Sequence, residues 1–123
     1  MINLNSKFPE HTMNVMNIPI LKRYGMTFIK KIDGTKFISN SPSSFIASYI
    51  SEYNDPDIIQ EYLDDIDLVL SGNYEQIDDT TKSTEFIYAK LYPDGLYFDE
   101  TKMLPLHDLR GLLSSWKEFL VEY

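Results

Sequence analysis

The chain has 123 residues, of which 43% are hydrophobic and 14% aromatic, and this is the size and apolar content of a folded domain. It contains no cysteine, which excludes a disulfide framework and a thiolate metal site. Its formal net charge of −8 argues against nucleic acid or an anionic membrane as a direct partner, because phosphate groups would be repelled.

We predict no targeting signal in the N-terminal region. The first 20 residues lack the basic segment and the continuous apolar run of a signal peptide. No apolar run approaches the ~18 residues of a membrane helix. From these two features we predict a cytoplasmic protein. Because we find no repeat, linker or low-complexity tract, we also predict a single domain over residues 1–123.

The first third of the chain predicts a hairpin and a short helix. Residues 1–12 have no clear pattern, and MNVMNIPI after them is compatible with a short strand or with coil. In MTFIKKIDGTKFIS, Asp33-Gly34 lies between two runs of β-branched and aromatic residues, which predicts a hairpin with a tight primed turn. SPSSFIASYISEY then predicts a helix, with Ser41 as N-cap and Pro42 at the first position.

A second helix is predicted over residues 56–71. Asp55-Pro56 repeats the start signal, and Gly72 supplies the stop. Between them, apolar residues recur every three or four positions, which indicates the face that packs on the core. This stripe contains Ile59, Tyr62, Leu63, Ile66, Val69 and Leu70.

The C-terminal part predicts a second hairpin and a third helix. STEFIYAKLYPDGLYFDE alternates over Phe86–Tyr92, turns at Pro93-Asp94-Gly95 and resumes through Phe98. After Pro105, one helical face carries Leu106, Leu109, Leu112, Leu113, Trp116, Phe119 and Leu120. The predicted fold class is therefore α+β, with two β-hairpins forming an antiparallel sheet packed against about three helices.

The negative charge is concentrated in one segment. Residues 52–79 contain ten carboxylates and no Lys or Arg, whereas the rest of the chain has 11 bases and nine acids. Like charges at neighbouring helical positions oppose the helix by ~0.2–0.5 kcal/mol per pair. A solvated face usually mixes both signs, so we favour a docking surface for a basic partner over a surface that only maintains solubility. The spacing of an EF-hand is absent, and no metal site is predicted.

No arrangement of residues indicates catalysis. His11 and His107 have no second ligand at metal-binding spacing, and Ser114-Ser115 lack the strand–turn–helix context of a nucleophile elbow. We predict a protein that is not an enzyme and binds no cofactor. The bases near the first hairpin are interpreted as solvated side chains, or as partners of the acidic helix in the same chain or in a second copy: Lys22, Arg23, Lys30, Lys31 and Lys36.

About 40 residues at the C-terminus carry a family resemblance. In LYPDGLYFDE and FDETKMLPLHDLRGLLSSWKEFLVEY, a Leu-Pro-Leu start leads into an amphipathic helix with Trp116 near its end. This segment resembles the immunity proteins of contact-dependent growth inhibition and related bacterial polymorphic toxin systems. The resemblance implies a cytoplasmic antidote that binds and blocks a toxin domain, often a nuclease.

The predicted function is therefore one-to-one inhibition of a basic toxin, an RNase or a DNase, through an acidic helix and loop that fit its phosphate-binding cleft. The predicted contacts are Asp57, Glu61, Asp64, Asp65, Asp67, Tyr74, Glu75, Asp78 and Asp79. Two alternatives stay open. One is a non-catalytic adaptor or homodimer module that uses an aromatic hairpin around Tyr88, Tyr92 and Tyr97. The other is an enzyme with buried, converging carboxylates.

Overall fold

The computed structural model describes residues 10–13, 18–40, 45–99 and 102–123, and this part of the chain contains six strands and four α-helices. The strands are β1 (Glu10–Met13), β2 (Met26–Lys31), β3 (Lys36–Asn40), β4 (Lys90–Tyr92), β5 (Gly95–Tyr97) and β6 (Met103–Leu104). The helices are α1 (Ile18–Arg23), α2 (Phe45–Ser51), α3 (Pro56–Leu70) and α4 (Leu106–Glu122). The predicted α+β class is confirmed.

The two hairpins lie in separate antiparallel sheets rather than in the single sheet that the sequence suggested. The first sheet has the strand order β1-β2-β3 and the second has the order β4-β5-β6. In each sheet a third strand from a neighbouring segment pairs with one strand of the hairpin, β1 with β2 and β6 with β5. Each of these short strands covers one edge of its hairpin.

The first hairpin is confirmed, but its turn differs from the predicted one. The carbonyl oxygen of Lys31 accepts the Gly34 N–H at 2.9 Å, and the Lys31 N–H donates to Thr35 at 2.8 Å. Three residues, from Ile32 to Gly34, therefore form the loop, and Gly34 adopts a φ of 94°. This three-residue loop with glycine at the left-handed position replaces the two-residue primed turn.

The second hairpin is shorter than predicted because another segment pairs with its first strand. The Lys82 N–H donates to Ala89 at 2.8 Å and the Leu91 N–H donates to Thr80 at 2.8 Å. The chain between Lys82 and Ala89 consequently forms an irregular excursion instead of the predicted extension of β4. Only Lys90–Tyr92 and Gly95–Tyr97 remain as strands around the Pro93-Asp94 turn.

The helices follow their local signals closely. Asp55 caps α3, since its side chain accepts the Asp57 N–H, and Gly72 adopts a φ of 85° just beyond the helix end. The predicted cap at Ser41 lies outside the described residues, and α2 is described from Phe45 onward. Helix α1 was not predicted, because MNVMNIPI shows no helical period.

Helix α4 lies at the centre of the core. It contacts α1, α2, α3 and β5. Phe28 of β2 packs edge-on against Trp116, with ring centroids 5.2 Å apart, and also lies against Phe119. Within the described residues, the buried side chains of both sheets and all four helices form one hydrophobic cluster. The acidic helix α3 buries its predicted stripe in this core except for Leu70, which is 40% exposed at the last position of the helix. Its carboxylates lie on the remaining surface.

Candidate functional site

A groove of about 550 Å³ runs between α3 and the segment from Gln76 to Lys82. It brings together five of the nine predicted contact residues: Glu61, Asp64 and Asp65 from the helix, and Asp78 and Asp79 from the facing segment. The rest of its lining is mainly apolar and aromatic, and includes Tyr53, Ile58, Tyr62 and Leu68. We call this feature the acidic groove.

Four of these carboxylates keep an uncompensated charge. In the part of the chain that the structure describes, Glu61, Asp64, Asp78 and Asp79 have no cationic group within ion-pair distance. Asp64 accepts a hydrogen bond from the Gln60 amide at 2.9 Å, and Asp79 accepts the Thr81 N–H at 2.9 Å. Both are neutral donors, so the groove retains its negative field.

Asp65, the fifth carboxylate, is engaged inside the protein. The Lys82 ammonium donates to Asp65 at 2.6 Å, and both side chains are largely shielded, with 13% of Lys82 and 25% of Asp65 exposed. The same ammonium lies 5.3 Å from the ring centroid of Tyr62. The ion pair therefore joins α3 to the opposite wall of the groove and leaves Asp65 little capacity for a partner.

The backbone of Lys82 is held as firmly as its side chain. The hydroxyls of Tyr49 and Tyr53 both donate to the Lys82 carbonyl oxygen, each at 2.7 Å. The Tyr49 and Tyr62 hydroxyls lie 2.8 Å apart and share a third hydrogen bond. Burial raises the pKa of Tyr49 and of Tyr62 far above the ordinary tyrosine value, so both phenols stay protonated donors.

Sequence reasoning did not identify this tyrosine–lysine cluster, although one signal points to it. Residues 52–79 contain ten carboxylates and no base, and Lys82 is the first base that follows them along the chain. It is therefore the nearest positive charge downstream that can compensate them. The residues that hold it lie in predicted helices, Tyr62 in the apolar stripe of the second and Tyr49 and Tyr53 in the first, and their spacing indicates burial rather than hydrogen bonding. Their hydroxyl contacts depend on how α2 and α3 pack against the 80–82 segment.

The other four predicted contacts lie outside the groove lining. Asp57 is exposed at the start of α3, and Glu75 is exposed on a short 3₁₀ helix, Tyr74–Gln76. The Tyr74 hydroxyl donates to the Leu91 carbonyl oxygen at 2.7 Å. Asp67 accepts a hydrogen bond from Arg110 at 2.7 Å, and this contact lowers the pKa of Asp67. Tyr74 and Asp67 thus have defined structural contacts.

Two lysines of the first hairpin, Lys30 and Lys36, donate hydrogen bonds to carbonyl oxygens at the C-terminal end of α4. The Lys36 ammonium donates to the carbonyl oxygens of Phe119 at 2.9 Å and Leu120 at 2.8 Å, and Lys30 donates to that of Tyr123. A helix end presents unpaired carbonyls and a partial negative charge, which ammonium groups satisfy. These lysines therefore bind a helix terminus and not the acidic helix.

A second depression, of about 600 Å³, lies on the second sheet. Its lining includes all three tyrosines of the alternative hairpin surface, Tyr88, Tyr92 and Tyr97, together with Pro93. Tyr88 is 61% exposed and Tyr92 is 39% exposed. The aromatic surface expected from the sequence thus exists beside the acidic groove, as a separate feature.

Asp108, which follows His107 at the start of α4, has structural partners. Asp108 accepts hydrogen bonds from Arg23 at 2.7 Å and from the Tyr24 hydroxyl at 2.6 Å, so both of its carboxylate oxygens are bound. Among the described ranges no three His, Asp or Glu side chains lie close enough together to hold a metal ion. In those ranges no helix has both the length and the apolar character needed to cross a membrane.

Comparisons with known proteins add no family: no family model, curated protein or solved structure matches this chain. The likeness of the C-terminal segment to immunity proteins therefore stays a prediction. Function must be argued from the two surfaces themselves, one lined by unpaired carboxylates and one by tyrosine rings.

Proposed function

We propose that this protein is a cytoplasmic immunity protein, which binds a basic toxin domain through the acidic groove and thereby neutralises it. The observation that carries the proposal is the pair of facing acidic walls. Glu61 and Asp64 lie on one side and Asp78 and Asp79 on the other, and none of them has a cationic partner in the described part of the chain.

The energetics of α3 support a role for these charges beyond folding. Glu61 is one turn from Asp57 and from Asp64, and each such like-charge pair opposes the helix by ~0.2–0.5 kcal/mol. Lys82, the nearest base, forms its ion pair with Asp65. Glu61 and Asp64 have no cationic partner in the described part of the chain. A cationic partner would relieve the repulsion on binding, so the uncompensated charge becomes favourable only in a complex.

The apolar part of the lining suits long basic side chains. Lysine and arginine have aliphatic stems that pack on apolar surface while their charged ends contact carboxylates. Tyr53, Ile58 and Leu68 line the same groove as the unpaired carboxylates and provide such a surface. We therefore assign the principal contacts to Glu61, Asp64, Asp78 and Asp79.

A nuclease is the toxin class that fits this field best. Enzymes that grip nucleic acid present basic clefts, because the phosphate backbone supplies most of the binding energy. An acidic surface in such a cleft would exclude the substrate and speed association by roughly 10–10³-fold at low salt. An RNase or DNase domain is therefore the expected partner, and the complex is expected to weaken as salt increases.

The test uses charge reversal on one wall of the groove. The double variant Glu61→Lys/Asp64→Lys is compared with Glu118→Lys/Glu122→Lys, which changes the net charge equally on α4, outside the groove lining. Each is co-expressed with candidate basic nuclease domains, taken first from the genes that neighbour its own, and growth is measured. Association rates with the purified domain are measured over a range of salt concentrations.

We expect the α3 variant to lose protection and to associate at least about tenfold more slowly at low salt, and the α4 variant to protect. Asp65 is unsuitable for this test because a lysine there would face Lys82. Equal protection by both variants, with equal association rates, would show that the groove does not bind the toxin.

A further inference from the structure

The second sheet exposes one face that the core does not cover. Leu91, Leu96 and Leu104 are fully buried, one on each strand of this sheet. Because side chains alternate across a strand, their neighbours Tyr92, Tyr97 and Met103 lie on the opposite face. We define the outer tyrosine face as Tyr88, Tyr92 and Tyr97 together with the depression that they line.

The rings of this face form two sides of a corner. Tyr92 and Tyr97 have centroids 5.1 Å apart and planes inclined at 83°. The Tyr97 hydroxyl donates to the Asp94 carboxylate at 2.8 Å, which fixes the ring and the charge relative to each other. Asp99 adds a second carboxylate to the lining of the depression. Aromatic faces and carboxylates are thereby combined within one concave surface.

The chemistry of this surface selects cations. The faces of tyrosine rings carry negative electrostatic potential and attract ammonium or guanidinium groups. The protein itself provides an example, since the Lys90 ammonium lies 5.6 Å from the Tyr92 ring centroid. The Asp94 carboxylate lies beside the same rings, and the chain has a formal net charge of −8, so a second cation is electrostatically favoured there.

We infer that the outer tyrosine face binds an arginine side chain of a partner protein. A guanidinium is planar, so it can stack on one ring while donating hydrogen bonds to a carboxylate beside that ring. An ammonium group has no flat face and is more strongly hydrated, so lysine is the weaker ligand. This inference concerns a surface separate from the acidic groove and does not require the partner to be a toxin.

A second copy of the chain is a less suitable occupant. It would bring the same two carboxylates against this face, and each chain has a formal net charge of −8. Like charges placed together oppose association, whereas a basic segment meets complementary charge. The occupant we assign is therefore a basic segment and not the same face of another copy.

The test titrates the protein with a short capped peptide that contains one arginine between glycines. The matched controls replace that arginine with citrulline, which has nearly the same shape without the charge, or with lysine. Ring resonances of the tyrosines are followed by NMR. The protein carries Glu61→Lys/Asp64→Lys, so that binding in the acidic groove does not contribute and the failure of one surface is distinguishable from failure of the other.

We expect the arginine peptide to shift the rings of Tyr92 and Tyr97 and to bind roughly five- to tenfold more tightly than the citrulline peptide, with lysine between them. Asp94→Asn should weaken binding of the arginine peptide about threefold. Lys90→Met should strengthen it, because it removes the competing cation.

Two outcomes would overturn the inference. Equal binding of the arginine and citrulline peptides would show that charge is not recognised. Ring shifts that appear with increasing protein concentration, and a dimer in sedimentation analysis, would assign the face to a second copy. Because Asp94 is exposed and Lys90 is only partly buried, the Asp94→Asn and Lys90→Met variants are expected to fold, and circular dichroism checks this directly.

Discussion

The first hairpin and the acidic groove use charge in opposite ways. In the hairpin, Lys30 and Lys36 donate to carbonyl oxygens at the end of α4, so their charges complete the fold. In the groove, Glu61 and Asp64 face solvent without a cation. The difference shows that the excess of acid is more than a matter of composition, because the hairpin lysines bind another part of the chain whereas four of the five carboxylates in the groove have no ionic partner among the described residues.

The same contrast extends along the chain. Arg23 binds Asp108, Lys82 binds Asp65, and Arg110 binds Asp67. Lys117 donates to the Gln60 side chain at 2.8 Å. Among the bases that the structure describes, Lys22 alone has a side chain with neither a hydrogen bond nor an aromatic ring contact. Removing one of the other bases should therefore cost stability, whereas removing an unpaired acid of the groove should not.

The largest effect is expected at Lys82. Lys82→Met keeps the aliphatic stem but leaves Asp65 shielded and unpaired, so the free energy of unfolding should fall by about 2 kcal/mol. Urea denaturation measures this loss, with Lys22→Met as the control of equal charge change and no expected effect. A Lys82→Met protein as stable as the control would mean that the ion pair does not hold the groove wall.

Lys36→Met is expected to cost less, about 1 kcal/mol, because it removes the ammonium that binds the last carbonyls of α4. Lys31→Met, in the same hairpin, is the matched control, since Lys31 is exposed and contacts only the Phe37 ring. Hydrogen exchange of the final turn of α4 should accelerate in the first variant and not in the second. Equal exchange in both would contradict a capping role.

Glu61→Gln should change stability in the opposite direction. It removes repulsion with Asp57 and Asp64, so the free energy of unfolding should rise by about 0.5 kcal/mol. Thermal and urea unfolding both measure this gain. A loss of stability would reveal that Glu61 has a favourable contact in the fold and would weaken its assignment to partner binding.

The smallest change in the free energy of unfolding is expected at Asp67. This carboxylate differs from the unpaired acids of the groove because it forms an ion pair with Arg110. Arg110 lowers its pKa, so the pair stabilises the fold above the unfolded pKa of about 3.9, and this contribution disappears as the pH falls through the lower folded value. Because half of Asp67 is exposed, Asp67→Asn should cost at most about 0.5 kcal/mol. That difference from the wild type should stay constant above about pH 5 and shrink as the pH falls below about 3.9, the unfolded pKa of aspartate; a difference that does not change as the pH falls would exclude the ion pair as its source.

The sequence predicted those parts of the fold that depend on nearby residues. Helix α3 begins at a proline after an aspartate cap and ends before Gly72, and all of these signals are local. Strands β1 and β6 have four and two residues, and such short segments become strands only where a hairpin edge is available. The capping of α4 by Lys36 joins residues more than 80 positions apart, and no local pattern indicates it.

The acidic groove, like the fold, could be predicted only where it depends on residues close together in the sequence. A helical stripe places Glu61 and Asp64 on one face from spacing alone. That Asp78 and Asp79 form the facing wall depends on the 80–82 segment pairing with β4, which the sequence did not reveal. The sequence also does not show that Asp65, unlike Glu61 and Asp64, has an internal ion-pair partner. Only folding brings the Lys82 ammonium within 2.6 Å of its carboxylate.

The excursion between Lys82 and Ala89 has a consequence for how this protein can diversify. Its two ends are joined by a backbone hydrogen bond, and its base is fastened by tyrosine hydroxyls, while Phe86 at its tip is 80% exposed. A loop closed at its base can gain, lose or exchange residues at the tip without moving the walls beside it. The tip can therefore accept insertions or substitutions while the scaffold beneath it stays unchanged.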